Sequence, residues 1–196
     1  QERDSVRTLS SQFVLLMSIA CGICAGSAYF NQPLIYSIAK SLDISISQAG
    51  LSVVIAQVGY GLGLLILVPL GDLFNKRKLI VSLMVFAAIS QILLAMSQEL
   101  TTLYIFTLCA TFGAISAQVL IPFASTISPP ESSAATVGKL MSGLVMGIIL
   151  SRTFAGFMST YWSWQSVYLS SGILTLGLAL VMWYKLPDTQ NNSHLN

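Results

Sequence analysis

Seven polar side chains interrupt long apolar stretches of this sequence, and together they could bind a small polar molecule. They are Asn31, Gln32, Gln57, Tyr60, Gln91, Gln118 and Arg152. Amides and hydroxyls donate and accept hydrogen bonds, and an arginine adds a permanent positive charge. In hydrocarbon each such group is costly unless it meets a partner or lines a cavity. We expect six of them to line one polar path through the molecule: Asn31, Gln32, Gln57, Tyr60, Gln118 and Arg152.

The residue patterns of several enzyme classes are missing. The sequence contains no His-Glu-x-x-His, no Gly-x-Ser-Gly and no phosphate-binding Gly-x-x-x-x-Gly-Lys loop. Its single histidine, His194, lies in a polar tail, and its three cysteines lie in apolar runs without further metal ligands nearby. The sequence therefore predicts a protein that is not an enzyme and needs no cofactor or metal.

The elements that must position these polar groups are membrane-spanning helices. Hydrophobic residues make up 55% of the chain and charged residues 8%, against roughly 25% charged in an average soluble domain. Six apolar runs are each long enough to cross a bilayer: 13–37, 49–71, 79–96, 101–126, 137–160 and 164–183. The predicted fold class is all-α, with a six-helix bundle at 12–186 between polar segments 1–11 and 187–196.

The distribution of charge predicts the orientation and the partners. With the amino terminus inside the cell, the inner segments carry seven basic residues, Arg3, Arg7, Lys76, Arg77, Lys78, Lys139 and Lys185, and the outer loops carry only Lys40. This bias favours a multi-pass protein of the cell (inner) membrane with both termini in the cytoplasm. The tail at 187–196 is expected to be disordered. The net charge of +2 is too small to indicate nucleic acid, so the lipid bilayer is the expected partner.

Local signals predict how the helices begin, bend and pack. Ser45 and Gln48 have the spacing of a capping box that opens the second helix, and Pro33 is expected to kink the first. Three glycine pairs at small-xxx-small spacing predict close helix contacts: Gly22 with Gly26, Gly59 with Gly63, and Gly143 with Gly147.

The two halves of the bundle show a faint internal symmetry. The half made of helices one to three would begin inside the cell, and the half made of helices four to six would begin outside. The halves would therefore be inverted repeats. The first helix of each half carries a late glutamine and proline, Gln32 with Pro33 and Gln118 with Pro122. Inverted three-helix repeats are a common building unit of secondary transporters.

Several stretches, in order, resemble the amino-terminal six-helix half of a major facilitator superfamily transporter, in a branch that exports drugs and small metabolites. They include Tyr29-Phe-Asn-Gln-Pro-Leu34, Gly59-Tyr-Gly-Leu-Gly-Leu-Leu65, Pro69-Leu-Gly-Asp72, Gln118-Val-Leu-Ile-Pro122, Met141-Ser-Gly143 and Ser151-Arg-Thr-Phe-Ala-Gly156. The resemblance implies half of a twelve-helix fold. It also implies secondary active transport of a small organic molecule, in the efflux direction, by rocking of two bundles around a site at mid-depth.

The resemblance further implies a cytoplasmic gate in the loop between helices two and three, formed by Asp72, Lys76 and Arg77. In the family the acid caps a helix of the opposite half and pairs with basic residues. Here Leu73 stands where a basic residue is usual, and Asn75 stands where a glycine is usual. Asparagine tolerates the left-handed backbone of such a turn, so this second change is mild.

Three alternatives remain open from the sequence. The six helices could pair with a second six-helix half or with another copy of the same chain. They could be an inactive fragment of a longer carrier. They could also form a channel-like or non-transporting membrane protein, which would not show the saturation and counterflow of a carrier.

Overall fold

Eight helices make up the part of the chain that the structure, a computed structural model, describes, residues 9–188. They are α1 (Ser11–Ser27), α2 (Asn31–Leu42), α3 (Ile46–Leu70), α4 (Lys76–Ala95), α5 (Leu100–Gly113), α6 (Ser116–Ile127), α7 (Ser133–Tyr161) and α8 (Trp164–Lys185). The all-α prediction is confirmed for these residues. The expected disorder of the tail falls mostly on residues 189–196, which lie outside the described range.

The predicted six membrane spans correspond to these helices. Within residues 9–188, α3, α4, α7, α8 and the continuous stretch Leu100–Ile127 are each long and apolar enough to cross a membrane. The pair α1 and α2 passes the same test together but is bent by 45°. Counted as one span, this pair brings the number to six. Helix starts generally lie a few residues before the predicted boundaries, because each cap includes polar residues that precede the apolar run.

The kink expected from Pro33 is present, and it lies just upstream of the proline. The break falls between Ser27 and Asn31, and Pro33 occupies the first turn of α2. A proline ring clashes with the carbonyl of the residue four positions earlier, here Tyr29, while its missing N–H costs nothing in a first turn. The helix is therefore interrupted upstream of the proline.

Polar caps begin the second and third spans. The predicted capping box is present: Gln48 N donates to Ser45 Oγ at 3.1 Å, and Ser45 N donates to Gln48 Oε1 at 3.0 Å. Asn75 begins α4 by accepting from Lys78 N at 3.2 Å. Asn75 does not use the left-handed backbone that asparagine tolerates, because its φ of −61° and ψ of 119° are extended. An N-cap residue needs that extended backbone to bring its side chain to the free N–H groups of the first turn.

Helix packing has the pattern of an inverted repeat. α1 packs along α7 and α5 packs along α3, while α4 and α8 pack on each other. If the first three spans are exchanged with the last three, the contact of α1 with α7 becomes the contact of α5 with α3. The contact of α4 with α8 stays the same. Both halves also begin with a span made of two helices, α1 with α2 and α5 with α6, although only the first pair is strongly bent. The order of the helices and the contacts between them therefore both follow the inverted repeat.

Glycine pairs allow the two long contacts to be close. A Cβ atom added to Gly22 would lie 2.6 Å from the carbonyl oxygen of Gly143, and one added to Gly26 would lie 2.7 Å from that of Gly147. On the equivalent contact, a Cβ at Gly59 would lie 2.7 Å from the carbonyl oxygen of Leu108. Since these are backbone atoms, no side-chain rotation could make room. The helices can approach this closely because these positions have no side chain.

Two buried apolar clusters leave different helices unequally covered. One cluster includes Met17, Ile80 and Met182, and the other includes Leu34 and Leu103. The first reaches the end of the bundle that carries Lys76, Arg77, Lys78 and Lys185, which we call the basic end. Only 22% of the most apolar window of α3 and 17% of that of α7 is buried, against 61% for Leu100–Ile127. α3 and α7 therefore present most of their surface outward.

Candidate functional site

Two polar pairs connect different spans, and the inverted repeat relates them in topology. Arg152 Nη2 on α7 donates to Gln32 Oε1 on α2 at 2.9 Å. Gln118 Nε2 on α6 donates to Tyr60 Oη on α3 at 3.1 Å. Each glutamine lies in the first turn of the second helix of a two-helix span. The structure therefore joins four of the six predicted path residues into two interhelical bonds.

These pairs lie well inside the bundle's length. Arg152 precedes the end of α7 at Tyr161 by about nine residues, or roughly 14 Å of helix. Gln32 precedes the end of α2 at Leu42 by about ten residues, or roughly 15 Å. Both side chains are exposed on the bundle surface. The positive charge is thus far from either end of the bundle, yet accessible from the side.

The remaining groups on this surface extend it along α3 and α2. Gln57 is exposed on α3, one helical turn before Tyr60. Tyr29 is half-buried in the break between α1 and α2, near Tyr60, although the sequence did not indicate it as a site residue. Its position three residues before Gln32, on one helix face if the helix were unbroken, was the available signal. We call the set Tyr29, Gln32, Gln57, Tyr60, Gln118 and Arg152 the polar face.

Asn31 lies elsewhere than we expected. Its side chain is only 2% exposed, and it donates to Ser52 Oγ at 3.1 Å while accepting from Tyr168 Oη at 2.7 Å. An amide held by two buried partners joins α2, α3 and α8 and is not available to a ligand. Tyr168 and its neighbour Trp164 are likewise buried, 1% and 2% exposed. Asn31 is therefore removed from the polar face.

The predicted gate residues are divided between two contacts at the basic end. Lys76 Nζ forms an ion pair with Asp72 Oδ1 at 3.3 Å, and the Asp72 side chain is 84% exposed. The guanidinium of Arg77 instead lies over the ring of Trp183 on α8, 4.1 Å from its centroid. Asn75 Nδ2 also donates to Asp188 Oδ1 at 2.5 Å. Arg77 and Asn75 thus attach the start of α4 to the end of α8, and Asp72 remains at the surface.

An apolar recess of about 350 Å³ opens on another part of the bundle. α1, α7 and α8 form its walls through residues such as Ile23, Phe154 and Leu174, and no residue of the polar face lines it. It has no charged group that could orient a polar molecule. Of the two surfaces, the polar face is the better candidate for binding.

Comparison with known proteins identifies the family. The sequence profile of the Major Facilitator Superfamily matches residues 16–196. The chain is 41% identical over 188 residues to the uncharacterized transporter YgaY of Escherichia coli O157:H7, which covers 96% of this chain and 48% of YgaY. It is 29% identical over 175 residues to the probable transporter SCO4007 of Streptomyces coelicolor, covering 89% of this chain and 41% of that protein.

The fold agrees with these relatives. A bacterial homologue of the human lysosomal transporter Spinster, in an inward-facing and occupied conformation, superposes with a TM-score of 0.77 at 17% identity. The superposition covers 91% of this chain and 44% of that one. The chain thus spans about half the length of the relatives it matches. It is a multi-pass membrane protein of the Major Facilitator Superfamily, with the fold of one six-helix half.

Proposed function

We propose that this chain is the amino-terminal half of a secondary transporter that exports a small organic molecule by alternating access. The observation that carries the proposal is the polar face, in which two interhelical pairs on four different spans lie at mid-depth. Polar groups at that depth are costly unless they pair with one another or meet a substrate or water, and Arg152 keeps N–H donors beyond its one bond to Gln32. Because the chain belongs to a transporter family, we propose that this face contacts the transported molecule.

A second six-helix half would complete the path. α3 and α7 bury little of their apolar surface within this chain, and exposed polar groups beside them could not face lipid cheaply. We propose that another half, or a second copy of this chain, covers the polar face. The positive-inside bias then favours the cell (inner) membrane, with both termini of the chain in the cytoplasm.

Counterflow distinguishes a carrier from a channel-like protein. The full-length protein would be purified and reconstituted in liposomes. The liposomes would then be loaded with each member of a panel of small organic compounds. Because a carrier exposes its site to one side at a time, we expect uptake of labelled compound to saturate and to accelerate when unlabelled compound is inside. Uptake that rises linearly with concentration, without acceleration, would instead support the channel-like alternative.

Asp72 is proposed as the gate residue that exchanges partners at the basic end. Lys76 holds it in this structure, and a helix terminus of the second half would compete for it. An exposed pair contributes at most about 1 kcal/mol, or about fivefold in the population of one state. We therefore expect Asp72→Asn to slow exchange severalfold while the unfolding transition stays the same.

The control for this prediction is Glu131→Gln, which removes another exposed acid from a loop at the same end. It should leave exchange unchanged. Equal effects of the two substitutions would mean that the total charge matters rather than Asp72. Normal exchange by Asp72→Asn would remove Asp72 from the gate.

A further inference from the structure

Arg152 carries a positive charge for which the described part of the chain offers no carboxylate. Each of the five acids within residues 9–188 lies outside the helices: Asp43, Asp72, Glu99, Glu131 and Asp188. Asp43 follows α2 at the end of the bundle opposite the basic end. It is about eleven residues beyond Gln32, or roughly 16 Å along the helix. The ion pair between Lys76 and Asp72 is at the basic end. No acid of this range can therefore neutralise the guanidinium.

The contact that Arg152 does make orients it without neutralising it. Gln32 accepts one hydrogen bond through its neutral amide oxygen. This bond fixes the guanidinium between α7 and α2 and directs the amide of Gln32 toward it. Arginine has five N–H donors, and the glutamine amide has two more. Most of these donors have no protein partner among residues 9–188, so the pair keeps several open hydrogen-bond donors beside one positive charge.

The surroundings of this group are apolar. Val145 and Ile149 precede Arg152 on α7 by seven and three residues and share its face, and they are 50% and 59% exposed. A permanent cation beside exposed aliphatic side chains matches a ligand with one anionic group and an apolar body. Charge-assisted hydrogen bonds from arginine to carboxylate are the strongest that such a site could make.

We propose that Arg152 and Gln32 bind the anionic group of a small amphiphilic organic acid. This assignment rests on the proposed transport function and names the substrate class of its site. The exposed side chains of Val145 and Ile149 would then contact its apolar body. A neutral or cationic compound of the same shape would leave the charge of Arg152 uncompensated, and the site would discriminate against it.

The test compares aromatic probes that differ in charge and little in size: benzoate, benzamide and benzylamine. Binding to the purified full-length protein would be measured by isothermal titration calorimetry. We expect the wild type to prefer benzoate, and we expect Arg152→Gln to weaken benzoate binding by at least about tenfold, since hydrogen bonds to charged groups are worth about 1.5–3 kcal/mol. Arg152→Lys should retain part of the preference, because it keeps the charge and loses the planar fork.

Lys40→Gln is the matched control, since it removes an exposed cation at the same end of the bundle and should leave benzoate binding unchanged. Equal affinity of the wild type for the three probes would overturn the proposal. Unchanged benzoate binding by Arg152→Gln, with a loss of stability, would overturn it too and would indicate a partner acid in a second half. Counterflow of any compound by Arg152→Gln at the wild-type rate would reject this inference and leave the transport function standing. Absent counterflow in the wild type would reject the function itself.

Discussion

Gly147→Ala is expected to destabilise the protein by about 1–3 kcal/mol, the usual cost of overpacking. The new Cβ would overlap the backbone oxygen, Cα and carbonyl carbon of Gly22. None of these atoms can rotate aside, so α1 and α7 must separate along one of the longest contacts of the bundle. The helix propensity gained, about 0.5–1 kcal/mol, is smaller than this cost. Unfolding of the full-length protein in mixed detergent micelles measures the difference.

Gly156→Ala in the same helix gives the control. A Cβ added at Gly156 meets no atom within 4 Å, so the substitution adds helix propensity without a clash. It should leave stability unchanged or raise it by up to about 1 kcal/mol. Opposite signs for one chemical change on one helix would identify close packing as the cause. A similar loss of stability at both positions would mean that α7 tolerates no added methyl group. The contact between Gly147 and Gly22 would then not explain the effect of Gly147→Ala.

The second large effect is expected at the buried bond between Asn31 and Tyr168. Asn31→Ala leaves the Tyr168 hydroxyl without its acceptor in a site that water does not reach. An unsatisfied buried donor costs about 1–3 kcal/mol, and the small cavity adds to it. Tyr168→Phe alone costs less, because Asn31 keeps its bond to Ser52. In the double variant the hydroxyl is no longer stranded, so we expect a coupling energy of about 0.5–3 kcal/mol.

The control for this cycle is Tyr184→Phe, which removes a hydroxyl from an 83% exposed tyrosine of the same helix. It should change the free energy of unfolding by less than about 0.5 kcal/mol. Additive losses in the double-variant cycle would contradict the bond between Asn31 and Tyr168. They would also restore Asn31 as a candidate for the polar face.

Features governed by local chemistry could be predicted well from the residues. Apolar run length predicted six spans, because a helix must be long enough to cross hydrocarbon. The capping box at Ser45 and Gln48 was predicted because both partners lie within one turn. The family resemblance also followed from ordered short stretches, and the profile match confirmed it. Glycine spacing marked a surface for close contact, although it did not say which helix would lie opposite.

Features that join distant residues required the tertiary structure. Asn31 and Gln32 are adjacent polar residues, and no sequence pattern separates a buried amide from an exposed one at a helix break. In the structure Asn31 forms hydrogen bonds with Ser52 and Tyr168, whereas Gln32 forms one with Arg152. Gly113, which is in no predicted pair, also lies close to its neighbour, since a Cβ there would be 2.8 Å from that of Ala87.

The sequence by itself determined that this chain spans a membrane six times and carries one arginine deep in its fifth span. Composition and run length suffice for that, because hydrocarbon excludes unpaired polar backbone and rare charges are conspicuous in it. Only the tertiary structure decided which of these polar groups are buried and which are exposed. The bend before Pro33 turns α2 so that Asn31 enters the core and Gln32 reaches Arg152. A rotation of about 100° between successive helical residues separates these two environments.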